Sequence, residues 1–141
     1  MNTPTSKSDY ILFFRGTDWE KRLSPEQFQK FVSDWADWFE RLKQEGKCAG
    51  GHPLRLAGKL VSGKNGHLVT DGPFAESKEA LGGYFYLQVA NLDEAIEIAK
   101  QCPGLEHGCV VEVRPVAERC ADRRRELEQA ACHDQFADAT V

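Results

Sequence analysis

Apolar and polar positions along the chain follow two periods, and together these periods predict a definite order of strands and helices. Short runs dense in apolar and aromatic residues predict strands at residues 10–15, 83–89 and 109–114. A further strand over residues 47–56 contains Pro53, which indicates an irregular strand or one at the edge of a sheet. Residues 59–64 and 67–71 flank the pair Asn65-Gly66, which is typical of a two-residue type I′ turn in a β-hairpin.

The longest helical pattern covers residues 25–45. Ser24 is a typical N-cap, Pro25 suits the first helical position, and Gln27 completes a capping box. One face of this helix is apolar, at Phe28, Phe31, Val32, Trp35, Trp38, Phe39 and Leu42. We expect the face to pack on a sheet, with Trp35 and Phe39 buried. Its aromatic content leaves a ligand platform as the alternative.

A shorter helix over residues 92–99 begins at the N-cap Asn91 and completes the pattern. The order β-α-β-hairpin-β-α-β predicts an α+β fold of the ferredoxin-like type, with an antiparallel sheet. Strands 10–15 and 83–89 are apolar on both faces, whereas two helices cover one face of a sheet. We therefore expect a homodimer in which a second copy covers the other face. The alternative is that the C-terminal segment covers it.

Composition and charge exclude several classes of protein. The 141 residues have mass 15.8 kDa, which suits one core, and 41% hydrophobic with 28% charged residues is typical of a globular chain. The net charge of −4, without a basic patch, argues against a nucleic-acid partner. No apolar run is long enough to span a membrane or serve in an export signal, so we expect no membrane partner and a cytoplasmic location.

The cysteines and glycines predict neither a metal site nor an organic cofactor. The five cysteines are odd in number and never spaced C-x-x-C, so we expect free thiols. Cys132-His133 resembles half of a metal site, but no second pair of ligands stands near it in the sequence. No phosphate-binding glycine loop or nucleotide fingerprint is present, so no organic cofactor is expected.

Residues 71–85 carry the most distinctive motif, DGPFAESKEALGGYF. This stretch resembles the signature of the DGPF branch of the YCII-related family, and the resemblance covers residues 9–116. It implies a ferredoxin-like fold of the dimeric α/β-barrel type. Residues 117–141 lie outside it and are expected to form a C-terminal helical extension.

The resemblance implies little about activity. Some DGPF members accompany extracytoplasmic-function sigma factors, and the YCII branch includes a dehydrochlorinase that acts on lactones or muconates. That branch is thought to use a His–Asp pair with the histidine on the first helix. Residues 25–45 contain no histidine, so half of that pair is missing here.

Two other residues could supply an acid–base pair, His52 and Asp71. If they meet across the sheet, Asp71 could fix the tautomer of His52, which could then move a proton. The alternative is structural, because an aspartate before Gly-Pro commonly forms a turn. The candidate ligand-binding residues are Arg55, Glu76, Lys78, Glu79 and Arg114.

These residues would serve a pocket near the DGPF turn. Arginine and lysine could hold a substrate carboxylate, and the missing side chains of Gly82 and Gly83 would let a ligand come close. The residues therefore favour a domain that binds or transforms a small anionic molecule. The alternative is a non-catalytic partner in transcriptional regulation linked to those sigma factors. No His–Asp or Cys–His arrangement is complete in the sequence, so the pattern does not decide whether the chain is an enzyme.

Overall fold

A computed structural model describes residues 6–74 and 76–139, with side chains up to residue 131. The strands are β1 (Ser8–Arg15), β2 (Cys48–Pro53), β3 (Lys59–Ser62), β4 (Leu68–Asp71), β5 (Leu81–Val89) and β6 (Val110–Pro115). The helices are α1 (Pro25–Gln44), α2 (Leu92–Ala99) and α3 (Cys120–Ala139). Short 3-10 turns lie at Asp18–Arg22, Lys64–Gly66 and Leu105–His107. The described part of the chain holds no helix of the length and apolar character that crossing a membrane requires.

The main sheet has four strands in the order β2-β5-β1-β6, and each neighbouring pair is antiparallel. Strands β1 and β2 are joined through α1 and lie on either side of β5, which is the split β-α-β arrangement. The predicted ferredoxin-like α+β fold is therefore confirmed. The edge position predicted for β2 is confirmed as well, and its pairing with β5 is irregular between Cys48 and Gly50.

One face of the sheet forms the core. Its buried residues alternate along β1 and β5, at Tyr10, Leu12, Phe14, Phe85, Leu87 and Val89. Helix α1 contributes Trp38 and Leu42 to the same cluster, and α2 contributes Ala95, Ile98 and Ala99. Both helices thus pack on one face, because period-two alternation directs every second side chain of a strand toward them.

The ends of α1 follow from its capping residues. The Ser24 hydroxyl accepts a hydrogen bond from the Gln27 amide at 3.1 Å, and the Gln27 side chain accepts one from the Ser24 amide at 2.9 Å. These two bonds satisfy amide groups that have no partner within the helix. The capping box that the sequence predicts is therefore present.

The burial predicted for α1 is wrong at two positions. Trp38 and Leu42 are each only 2% exposed, whereas Trp35 and Phe39 are half-buried. The sheet covers the C-terminal half of the apolar face of α1 more completely than the N-terminal half. Phe28 lies in that half and is 43% exposed.

The β3–β4 hairpin forms a separate two-stranded sheet. Its last pair is Ser62 with Leu68, so residues 63–67 form a five-residue loop instead of the predicted two-residue turn. Asn65 and Gly66 do adopt positive φ, of 60° and 67°, as their residue types favour. Gly63 also has positive φ, which lengthens the turn beyond what the Asn-Gly pair alone indicated.

Helix α3 contributes no described side chain to the core. Residues 120–131 are exposed apart from Asp122, and Leu127 keeps 63% of its surface accessible. The described side chains of α3 are thus not buried against the second face of the sheet. The boundary between residues 9–116 and 117–141 as separate units stays a prediction.

Candidate functional site

A cavity of about 450 Å³ lies between the N-terminal half of α1 and the end of the sheet where β2 finishes and β5 begins. We call it the aromatic pocket, because many of its lining residues carry aromatic rings: Phe14, Trp19, Phe28, Phe31, Trp35, Phe39 and Phe85. The part of α1 that extends past the sheet forms one side. The pocket therefore exists because the sheet leaves the N-terminal half of the apolar face of α1 partly uncovered.

Ring-to-ring contacts hold the side of the pocket formed by α1. The centroid of Trp35 lies 4.5 Å from that of Phe14 and 5.6 Å from that of Phe85, both edge to face. Phe31 lies 5.4 Å from Trp35 in a tilted arrangement. Edge-to-face pairs at these distances are favourable beyond the apolar area they bury, so the lining is held in shape without a ligand.

Trp19 closes the opposite side. Its indole Nε1 donates a hydrogen bond to the Gly16 carbonyl at 2.9 Å, and the residue is 5% exposed. The ring stacks on His107 with a centroid distance of 6.1 Å and packs edge to face on Phe31 at 5.0 Å. Behind the indole, Gly104 leaves no room for a side chain, because an added Cβ would lie 3.3 Å from the ring.

Glu20 brings a carboxyl group to the lining. It follows Trp19 in the 3-10 turn Asp18–Arg22, so burial of the indole places the carboxyl at the pocket. Burial raises the pKa of Glu20 above its ordinary value of 4.5. Among the described residues, no ion pair or side-chain hydrogen bond reaches this carboxyl. The described lining also contains no lysine or arginine.

His52 and Tyr84 lie at the end of the sheet beside the pocket, with their side chains on the face opposite α1 and α2. They face each other across β2 and β5, and the His52 Nδ1 is 2.9 Å from the Tyr84 hydroxyl. The backbones of β2 and β5 leave no space for a side chain here. A Cβ added at Gly51 would lie only 2.4 Å from the Tyr84 carbonyl oxygen. A Cβ at Gly83 would likewise lie 2.8 Å from the His52 carbonyl oxygen. Glycine at these positions thus permits the pairing that brings imidazole and phenol together.

Asp71 lies elsewhere, at the end of β4. Its carboxylate forms an ion pair with Lys59 across the hairpin, and both side chains are exposed. The described side-chain contact of His52 is with Tyr84, and that of Asp71 is with Lys59. No described contact joins His52 to Asp71. Asp71 does not line the aromatic pocket. A catalytic role for His52 or Asp71 stays a prediction.

The five predicted ligand-binding residues are exposed and do not line the pocket. Arg55 lies between β2 and β3, and Glu76, Lys78 and Glu79 lie in the turn before β5. Arg114 on β6 forms an ion pair with Glu112 at 3.6 Å. Their binding of a ligand stays a prediction. Gly82 and Gly83 do line the pocket, and the close approach of a ligand to them stays a prediction.

Comparison with known proteins places the chain in a family. The family model of the YCII-related domain matches residues 14–118, which is most of the chain. The chain belongs to the YCII-related family. A similar relative is an uncharacterised protein of Rhizobium meliloti (strain 1021), 38% identical over 66 residues, which are 46% of this chain and 53% of the relative. The chain thus spans about half the length of the curated relative it matches.

A solved structure is also similar to this YCII-related chain. It is the 5-chloro-2-hydroxyhydroquinone dehydrochlorinase from Burkholderia phenoliruptrix AC1100, in complex with 2,5-dihydroxybenzoquinone. The similarity covers 79% of this chain and 95% of that one, with a TM-score of 0.42 and 13% sequence identity.

Sequence reasoning missed Trp19 and Glu20, because residues 16–23 show no periodic pattern. One signal was available. An isolated tryptophan in a short polar connection commonly packs back on the core, and its neighbours are then carried to the same place.

The thiols near the pocket are buried. Cys102 and Cys109 are each 4% exposed, and the neighbouring Cys102 thiol together with burial raises the pKa of Cys109. Cys48, Cys102, Cys109 and Cys120 are free, whereas Cys132 and His133 lie outside the residues whose side chains the structure describes. Within the described residues, no three His, Cys, Asp or Glu side chains gather as metal ligands.

The Asp71–Lys59 pair leads to a first prediction. Asp71→Asn is expected to change the free energy of unfolding by less than about 1 kcal/mol, because exposed ion pairs stabilise proteins little. A urea titration of the variant and of Lys59→Met measures this. A loss of several kcal/mol in Asp71→Asn alone would contradict it and indicate that the carboxylate supports the DGPF turn.

Proposed function

We propose that this YCII-related domain binds a small, largely apolar aromatic molecule in the aromatic pocket. The observation that carries the proposal is the cavity of about 450 Å³ lined by aromatic rings. Ligand sites typically measure about 300–1,000 Å³ and combine an apolar lining with a few polar groups. Here Glu20 supplies a polar group.

The pocket chemistry favours a different ligand from the small anion that the sequence suggested. An anion needs a cationic partner or several N–H donors, and the described lining has one carboxyl group and no lysine or arginine. Arg55, Lys78 and Arg114 would have to serve a separate anion site. An aromatic hydrocarbon skeleton, by contrast, can pack against the lining rings. Because it carries no charge, its binding does not require removing water from a charged group.

His52 and Tyr84 place an acid–base pair beside the pocket, on the face of the sheet opposite α1 and α2. The Tyr84 hydroxyl lies 2.9 Å from the His52 Nδ1 and can donate a hydrogen bond to it or accept one from it. The rings of α1 line the pocket on the other face, so a molecule bound among them would not lie against this pair. A catalytic role for His52, with Tyr84 or with Asp71, stays a prediction.

We also propose a homodimer through the outer face of the main sheet, the face opposite α1 and α2. Half-buried Ile11, Phe13 and Tyr86 form its apolar centre. Charged residues of both signs surround that centre, including an Arg15–Glu112 ion pair of 2.5 Å, so two copies can complement each other. The exposed described side chains of α3 favour a second copy over the tail as the cover.

The regulatory alternative and a cytoplasmic location stay predictions. Both came from the family resemblance or from sequence composition, and no described contact bears on either. A gene-neighbourhood survey for sigma factors would test the first of them independently of ligand binding.

Blocking the pocket tests the ligand proposal. Ala36 lines the pocket from an exposed position on α1, so Ala36→Phe should fill the entrance while leaving the core unchanged. With 2-(1-naphthyl)ethanol as the neutral probe, we expect binding to the unmodified protein and at least about tenfold weaker binding to the variant. Isothermal titration calorimetry measures both affinities.

Ser33→Phe is the matched control, because Ser33 is exposed on α1 outside the pocket lining. It should bind the probe as the unmodified protein does. Both variants should unfold within about 0.5 kcal/mol of the unmodified protein, as surface substitutions usually do. Equal binding by Ala36→Phe and Ser33→Phe, or no binding by the unmodified protein of either this alcohol or its ammonium and carboxylate analogues, would overturn the proposal.

A further inference from the structure

The Glu20 carboxyl is the least satisfied group in the pocket. It is half-buried, and among the residues that the structure describes no cation and no side-chain donor contacts it. A carboxylate removed from water without a partner is costly, so a protein normally pairs it or leaves it exposed. Burial alone accounts for the raised pKa of Glu20, which agrees with the absence of a nearby described cation.

The surrounding rings suit one type of partner. Trp19, Phe31 and Trp35 line the same cavity as Glu20. The faces of aromatic rings attract cations, and an ammonium group among rings and a carboxylate gains from both. A neutral ligand would gain at most a hydrogen bond to the carboxylate without the attraction of opposite charges, and an anionic ligand would be repelled by it.

We propose that the ligand of the aromatic pocket is an organic cation, an aromatic amine or aryl-alkyl ammonium whose charged nitrogen pairs with Glu20. This inference rests on the proposed function, since it names the ligand class of the same pocket. The ammonium group donates to the Glu20 carboxylate, and the aromatic part of the ligand packs against the rings of α1. Glu20 is then a specificity-determining residue, which selects charge, while the rings supply the apolar contact.

Three probes of one shape separate charge from hydrophobic contact. They are 2-(1-naphthyl)ethylammonium, neutral 2-(1-naphthyl)ethanol and anionic 1-naphthylacetate, each titrated calorimetrically into the full chain at pH 7. We expect the cation to bind about tenfold or more tightly than the alcohol, and the anion to bind most weakly. The Glu20→Gln variant should lose this preference, so that cation and alcohol bind within about threefold of each other.

The control variant is Glu26→Gln, the same chemical change at an exposed residue of α1 outside the lining. It should keep the full preference for the cation. Thermal unfolding of both variants checks that they fold, and Glu20→Gln should not be less stable, because it removes an unpaired buried charge.

The outcomes distinguish this inference from the proposed function. If the alcohol or the anion binds as tightly as the cation, or if Glu20→Gln keeps the preference, the pocket is a ligand site but the inference of a cation is overturned. If none of the probes binds, the proposed function fails together with the inference. If binding of the cation is unaffected by Ala36→Phe, the cation binds outside the pocket and the inference is again overturned.

Discussion

Trp38→Ala is expected to lower the free energy of unfolding by about 3–5 kcal/mol, the range for truncating a large aromatic residue in a packed core. Trp38 is 2% exposed, and its ring lies 4.9 Å from Phe85 and 6.0 Å from Phe14. It also holds α1 to the segment after α2, because its Nε1 donates to the Gln101 Oε1 at 3.1 Å. The truncation would leave a cavity at the centre of the helix–sheet interface.

Guanidinium titration monitored by far-ultraviolet circular dichroism measures this loss. Trp35→Ala is the informative comparison, because Trp35 is half-buried and lines the pocket, so its removal enlarges an existing cavity. We expect it to cost less than half as much as Trp38→Ala. A loss below about 1 kcal/mol in Trp38→Ala, or a larger loss in Trp35→Ala, would show that another part of α1 faces the sheet.

Light scattering during size-exclusion chromatography is expected to give a mass of roughly twice 15.8 kDa for the unmodified chain. Phe13→Asp should convert it to a monomer at micromolar concentration. Phe13 lies between Tyr84 and Glu112 in the outer face, and there a second copy would bury its ring. An aspartate would bring an unpaired charge into that interface, which is expected to weaken association at least about 100-fold.

The control for this experiment is Leu127→Asp on α3, where an exposed apolar side chain outside the outer face is replaced by the same charge. This variant should remain a dimer. Circular dichroism must show that Phe13→Asp is folded, since Phe13 is half-buried within the sheet. A monomeric unmodified protein, or a dimeric Phe13→Asp variant, would rule out the outer face as the interface.

Local sequence signals determined the elements and their order. The bounds of α1 were predictable because Ser24, Pro25 and Gln27 act on amide groups only a few residues away. The helix α2 was predictable for the same reason, since the Asn91 side chain accepts from the Glu94 amide at 2.9 Å. The order of these elements then indicated the split β-α-β fold, because short connections allow few alternatives.

Recognition of the family depended on the sequence as well. The DGPF stretch over residues 71–85 was specific enough to identify the YCII-related family before any coordinates, and the family match over residues 14–118 confirms it. The stretch did not identify the pocket. Glu76, Lys78 and Glu79 are exposed in the turn before β5, and only the end of the stretch, from Gly82 to Phe85, reaches the lining.

The tertiary structure alone decided which residues meet. The helical period of α1 predicts an apolar face, but it does not predict which part of that face the sheet covers. The position of the sheet is the reason that Trp38 is buried and Trp35 only half-buried. Glu20 reaches the pocket because Trp19 is buried by residues distant in sequence, among them His107. Local propensity cannot predict such a site, because a pocket forms where elements distant along the chain leave the space between them unfilled.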